Sequence, residues 1–158
     1  MPKPAPPIPP GHVAVQPYMI VPDSRKAIDF YKKAFGAQEV VVMPGPDGRV
    51  MHAEIKIGDA YVYLTDENPA WGAKSAKSMG GSPISLHLHV EDVDAAFKKA
   101  LAAGAVESMP VADMFWGDRY GKVEDPFGYQ WGIATQKLTL TPEEIGKAAQ
   151  EFFAQMKQ

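Results

Sequence analysis

The sequence predicts an α+β chain of two βαβββ modules, and three observations point there: one pattern occurs twice, its strands alternate, and its helices carry matching boundary residues. "VAVQPYMIVPDSRKAIDFYKKAFGAQEV" is an apolar strand, an Asp-containing turn and an amphipathic helix ending at Gly36. "PISLHLHVEDVDAAFKKALAAGAVES" repeats that order and ends its helix at Gly104. Val21 corresponds to Val90 and Asp23 to Asp92, an offset of 69 (90 − 21 and 92 − 23). The second helix is one residue shorter, so the offset falls to 68 at its glycine.

The elements follow in order. Residues 1–12, "MPKPAPPIPPGH", hold six prolines in the first ten positions and lack the apolar middle of a signal peptide. They read as a loose polyproline arm or as one that docks on a neighbouring subunit. Module 1 spans residues 13–66. Asp23 suits the helix N-terminus, where a carboxylate meets free N–H groups, and Gly36 suits a left-handed cap. Strands are expected over residues 38–43, 49–57 and 60–66, joined by "GPDG" and "GD" turns. Residues 67–83 are rich in Gly, Ser and Pro and read as the linker. Module 2 spans residues 84–136, with strands expected over 105–110, 118–124 and 129–135 and a "DPFG" turn before the last. The tail, residues 137–158, contains a helix announced by Thr141, Pro142 and Glu144, the signature of a capping box. Ile145, Ala148, Ala149, Phe152 and Met156 make its apolar stripe, which suits a packing helix. A four-stranded sheet with one helix buries only one face, so the two modules are expected to form one domain.

Composition narrows the function. The chain has 158 residues, a net charge of −3 and no cysteine. Disulfides and thiolate chemistry are thereby excluded, which fits a cytoplasmic setting. The charge offers no electrostatic reason to expect nucleic acid or anionic membrane as partner.

Alternation assigns each strand two faces. Val15, Met19 and Val21 leave Gln16, Tyr18 and Ile20 opposite; Met51, Ala53, Ile55 and Ile57 leave His52, Glu54 and Lys56. Ala60, Val62 and Leu64 leave Tyr61, Tyr63 and Thr65. Leu86, Leu88 and Val90, expected beneath the second helix, leave Ser85, His87 and His89. Trp131 and Ile133 leave Gln130, Gly132 and Ala134. One face is greasy and helix-covered. The other mixes imidazole, phenol, amide and carboxylate, the lining a small-molecule pocket needs.

The motifs "PDSRKAIDFYKKAFGA", "GDAYVYLTDENPAWG", "LHLHVEDVDAAFKKALAAGA" and "DMFWGDRYGKVEDPFGYQWGIAT" resemble the vicinal oxygen chelate superfamily, which holds glyoxalase I, extradiol dioxygenases and bleomycin-resistance proteins. Within it they are most similar to the PhnB-like glyoxalase group. The resemblance implies a curved eight-stranded mixed sheet forming an open cup with helices outside. It also implies a homodimer. In metal-dependent members the ligands come from the first and last strands of each module. Those positions are Gln16, Tyr63, Ser85 and Gly132 here, and only Gln16 is of a type the superfamily uses. The resemblance therefore implies a protein without the usual metal. Tyr129 also follows the DPFG turn where the group often carries histidine.

Three functions are compatible with these residues. In the first, a metal-free binder holds a small, partly aromatic ligand through Gln16, Tyr18, His52, Glu54, Tyr61, Tyr63, Ser85, His87, His89, Phe115, Trp116 and Arg119, with Trp71 as further stacking surface. In the second, a lyase or dioxygenase-type enzyme carries a relocated divalent metal on His87 and His89, with His52 or Glu54 as third ligand. In the third, a His–Glu pair does metal-free acid–base work. The sequence shows neither a nucleophile nor an oxyanion device for that last reading.

Overall fold

A computed structural model describes residues 3–156; the outermost positions of the expected arm and tail, 1–2 and 157–158, lie outside the described residues. The chain forms two compact units, Met1–Gly81 and Ser82–Gln158. Each has the expected βαβββ order. In the first, β1 (Tyr18–Val21), α1 (Ser24–Phe35), β2 (Gln38–Pro44), β3 (Val50–Ile57) and β4 (Ala60–Asp66) build a sheet in the order β1-β4-β3-β2. A 3-10 turn (Pro69–Trp71) and a short helix α2 (Ala76–Met79) follow, inside what the sequence suggests is only linker. In the second, β5 (Ser85–His89), α3 (Val93–Ala103), β6 (Val106–Asp113), β7 (Asp118–Glu124) and β8 (Gln130–Gln136) give the order β5-β8-β7-β6, before α4 (Pro142–Gln155). The eight strands are thus realised as two four-stranded ladders, each with its first strand parallel to its last. No described helix is long and apolar enough to cross a membrane.

The repeat persists to individual hydrogen bonds. Asp23 accepts from the Lys26 N–H at 3.1 Å, and Asp92 accepts from the Ala95 N–H at 3.0 Å. Asp66 at the end of β4 accepts from the Ser24 N–H at 2.6 Å, and Thr135 on β8 accepts from the Val93 N–H at 2.9 Å. Each last strand therefore satisfies a free donor at the start of its own module's helix. Gly36 closes α1 at φ 67°, its N–H bonded to the Lys32 carbonyl and that of Ala37 to the Tyr31 carbonyl.

Alternation holds best where a helix covers the sheet. Met19, Val21, Ala53, Ile55, Ile57, Val62 and Leu64 are buried with Ala27, Ile28, Phe30, Tyr31 and Ala34 of α1. Val15 departs from it: the strand begins only at Tyr18, and Val15 is 83% exposed. Leu86 and Leu88 are half-buried rather than buried.

The DPFG turn is built around a buried acid. Asp125 Oδ1 accepts from the N–H groups of Phe127 and Tyr129, both at 2.9 Å, and Oδ2 accepts from the Trp131 indole at 2.9 Å. Asp125 is 2% exposed and Trp131 3%.

At α4 the capping box forms: the Glu144 N–H donates to Thr141 Oγ1 at 3.3 Å, and the Thr141 N–H donates to Glu144 Oε2 at 2.8 Å. The helix buries no residue, although Phe152 and Phe153 touch the Phe115 ring. Its order depends on local terms, so Thr141→Ala should cost about 1 kcal/mol. Amide hydrogen exchange should read this as roughly fivefold faster exchange confined to α4; unchanged protection there would count against it.

Candidate functional site

Each unit gathers polar and aromatic side chains on the sheet face away from its main helix. On the first unit, register sets Tyr63 of β4 beside both Tyr18 of β1 and Glu54 of β3. The Tyr18 hydroxyl lies 3.0 Å from His52 Nδ1, and His52 Nε2 lies 3.1 Å from Glu54 Oε1. With Nε2 donating to the carboxylate, Nδ1 accepts from the phenol, so a single tautomer satisfies both contacts. Tyr63 sits edge-on to Tyr18 and His52, with ring centroids 5.7 and 5.0 Å apart. Burial pushes the Tyr18 and Tyr63 phenols up from their ordinary range, with Glu54 and then Tyr61 adding to the effect at Tyr63. Both therefore stay protonated donors at neutral pH.

The proline-rich arm completes this cluster. Pro9, Pro10, Gly11 and His12 make a tight turn, the His12 N–H bonded to the Pro9 carbonyl at 3.0 Å with Gly11 at φ 78°. His12 then stacks on Tyr61 at 3.8 Å between centroids, and its Nε2 lies 3.4 Å from Glu54 Oε2. The end of the arm thus packs on its own unit, and His12 joins the site although its sequence pattern does not single it out. The signal was present: Pro followed by Gly is what this turn requires. A cavity of about 360 Å³ opens between Ile8, Pro9, His12, Gln16, Tyr18 and Tyr63. Gln16 is tied to the backbone, its amide nitrogen donating to the Tyr61 carbonyl at 3.0 Å and its oxygen accepting from the Val13 N–H at 2.9 Å. Trp71 is 72% exposed and borders a separate cavity of about 230 Å³ with Met51 and Thr65.

On the second unit, His87 and His89 share one face with Asp118 and Tyr120 of β7. The His87 and Tyr120 rings stack at 5.7 Å, and the two imidazoles lie 4.5 Å apart. Burial, then repulsion from His89, pushes the His87 imidazole below its ordinary value, while Asp118 acts the other way. Trp116 closes this cluster, its indole donating to Asp118 Oδ2 at 3.0 Å and its ring edge-on to Tyr120 at 5.7 Å. Phe115 points instead to α4. Ser85 is exposed on β5 beside Gln130.

Arg119 lies elsewhere. Alternation along β7 turns it opposite to Asp118 and Tyr120, toward α3, where Nε and Nη2 donate to Asp94 at 2.7 and 2.8 Å and Nη1 donates to Asp113 at 3.1 Å. The Asp94 carboxyl is held below its ordinary range chiefly by the hydrogen bonds from Arg119. A carboxyl lowered in the folded state contributes stability above its unfolded value and loses it as pH falls through the folded one. Arg119→Gln should therefore lower Tm at neutral pH, and the gap to wild type should close as pH falls below the ordinary carboxylate range. A gap that widens on acidification would contradict this role.

Paired βαβββ units with a polar face on each sheet define a class of folds, and comparison places the chain within it. The model of the Glyoxalase/Bleomycin resistance protein/Dioxygenase superfamily matches residues 10–133, and the chain belongs to that superfamily. It is 45% identical over 138 residues to protein Mb0911c of Mycobacterium bovis, covering 85% of this chain and 91% of that one. It is also similar to the X-ray structure of the Arabidopsis thaliana product of At5g48480, with 31% identity, a TM-score of 0.64, and 77% and 98% of the two chains covered. The PhnB protein of Bacillus cereus shares the fold at 18% identity and a TM-score of 0.62, covering 78% and 99%.

The resemblance assigns metal ligands to the positions of Gln16, Tyr63, Ser85 and Gly132. Gln16 has both ends of its amide engaged. At Gly132 the space for a side chain is already filled: a Cβ there would lie 2.8 Å from Tyr120 Cε2, 2.9 Å from its hydroxyl and 3.2 Å from His87 Nδ1.

Proposed function

We propose that this superfamily member binds a small, partly aromatic molecule on the polar face of its first unit, without the superfamily's usual metal site. One observation carries the reading: Tyr18 and Tyr63 stand against the His52–Glu54 pair, and Tyr61 stacks on His12, beside the cavity bounded by the arm. Aromatic rings supply stacking area, and a few oriented polar groups fix the ligand. A thermal-shift screen with aromatic antibiotics tests it. The expected result is ligand-induced stabilisation that persists in chelator and falls at least tenfold in affinity in Tyr63→Ala or His52→Ala. Binding that needs added metal, or that ignores both substitutions, overturns it.

A second reading, a lyase or dioxygenase-type enzyme with a relocated metal, keeps one specific support. His87 and His89 do stand together with a carboxylate. In this reading the third ligand is Asp118 rather than His52 or Glu54. His52 is bonded through both ring nitrogens and Glu54 through both oxygens, whereas Asp118 lies beside the histidine pair. Homodimerisation belongs to the same proposal by family likeness, and a monomer by light scattering at micromolar concentration would count against it.

A further inference from the structure

We propose that the second unit carries a divalent-cation site formed by His87, His89 and Asp118, at positions the superfamily's ligand pattern does not use. The site rests on the second reading above and is independent of the ligand reading for the first unit.

Sheet register builds it. His87 pairs with Gly132 and His89 with Ala134 of β8, while β7 sets Tyr120 beside Ala134 and Asp118 beside Gln136. β5 and β7 are two strand spacings apart, about 9.5 Å, and side chains on the intervening strand would normally separate them. Here that strand offers Gly132 and Ala134 beside the two histidines, with Gln136 beside Asp118, so the imidazoles from one side and the carboxylate from the other approach diagonally above the small residues. One donor atom from each of the three lies within 4.8 Å of the others. Tetrahedral coordination at ~2.0–2.1 Å places ligand atoms about 3.3 Å apart. Rotation of the two exposed imidazoles covers that difference.

The surroundings suit ligation. The described hydrogen bonds engage the rings of His12 and His52 but not those of His87 and His89. Trp116 donates to Asp118 Oδ2, which orients the carboxylate and leaves Oδ1 available, as partners behind a ligand commonly do. Tyr120 stacked on His87 restrains its ring. Two imidazoles and one carboxylate select a borderline cation such as zinc, cobalt or nickel over calcium or magnesium. Three protein ligands leave a coordination position open to water or to a small oxygen ligand.

The test is calorimetric titration of the untagged, chelator-stripped chain with Zn²⁺ and Co²⁺, with visible absorption reporting Co²⁺ geometry. One equivalent per chain is expected, at micromolar affinity or tighter. Affinity should fall at least tenfold in His87→Ala and in His89→Ala, and measurably in Asp118→Asn. The Co²⁺ bands should vanish in the double histidine variant. Unfolding curves identify any variant that fails to fold, and His87→Gln then replaces it. No saturable binding to wild type up to millimolar metal overturns the proposal. So does binding unchanged in the double variant, or binding abolished by Gln16→Ala instead.

Discussion

Asp125→Ala should cost about 3–5 kcal/mol of folding stability, because three donors, two of them buried, lose one charged acceptor at once. The N–H groups of Phe127 and Tyr129 and the Trp131 indole all point at this carboxylate inside the turn that feeds β8. Trp131 has little access to water, so its indole finds no solvent substitute. Asp125→Asn separates charge from shape. Its amide keeps one oxygen for the backbone donors but presents N–H to the indole, so a loss of about 2 kcal/mol is expected. Urea unfolding measures both. Stability within about 0.5 kcal/mol of wild type in the alanine variant would remove Asp125 as the organiser of the turn.

Gly132→Glu, which writes a superfamily-type ligand back into its position, should destabilise the fold by about 2–3 kcal/mol and create no metal site. The added Cβ meets the Tyr120 ring and then His87 at less than ordinary contact distance. Tyr120 must swing away, taking its stacking on His87 and its edge contact with Trp116 with it. Near-ultraviolet circular dichroism and urea midpoints report these changes. Wild-type stability together with tighter Zn²⁺ binding would mean that the usual site was merely awaiting its ligand. Tyr120→Ala in the same background should recover part of the lost stability, since it removes the clash.

Helix boundaries and strand order were legible because they rest on local rules. Asp23, Asp92, Gly36 and Gly104 announce caps that hold whatever surrounds them, and the structure places all four at helix ends. The tyrosines and the His52–Glu54 pair were legible through alternation alone. Arg119 was readable in the same way. Two residues after Gly117, β7 already alternates, and that parity turns Arg119 from the histidines toward Asp94. His12 was harder, since no periodicity runs through a polyproline arm; only its turn motif hinted at a defined position.

By itself the sequence determined the paired βαβββ modules, the caps and the face on which the polar side chains of β3, β4 and β5 emerge. Those follow from short-range sterics and from a period of two, which a chain cannot escape. Only the tertiary structure decided which polar groups meet. His12 reaches Glu54 across 42 positions, and Asp118 reaches the histidines across a strand whose small residues leave room. Such encounters depend on strand register and on the volume of whatever lies between, and neither is encoded near the residues that meet.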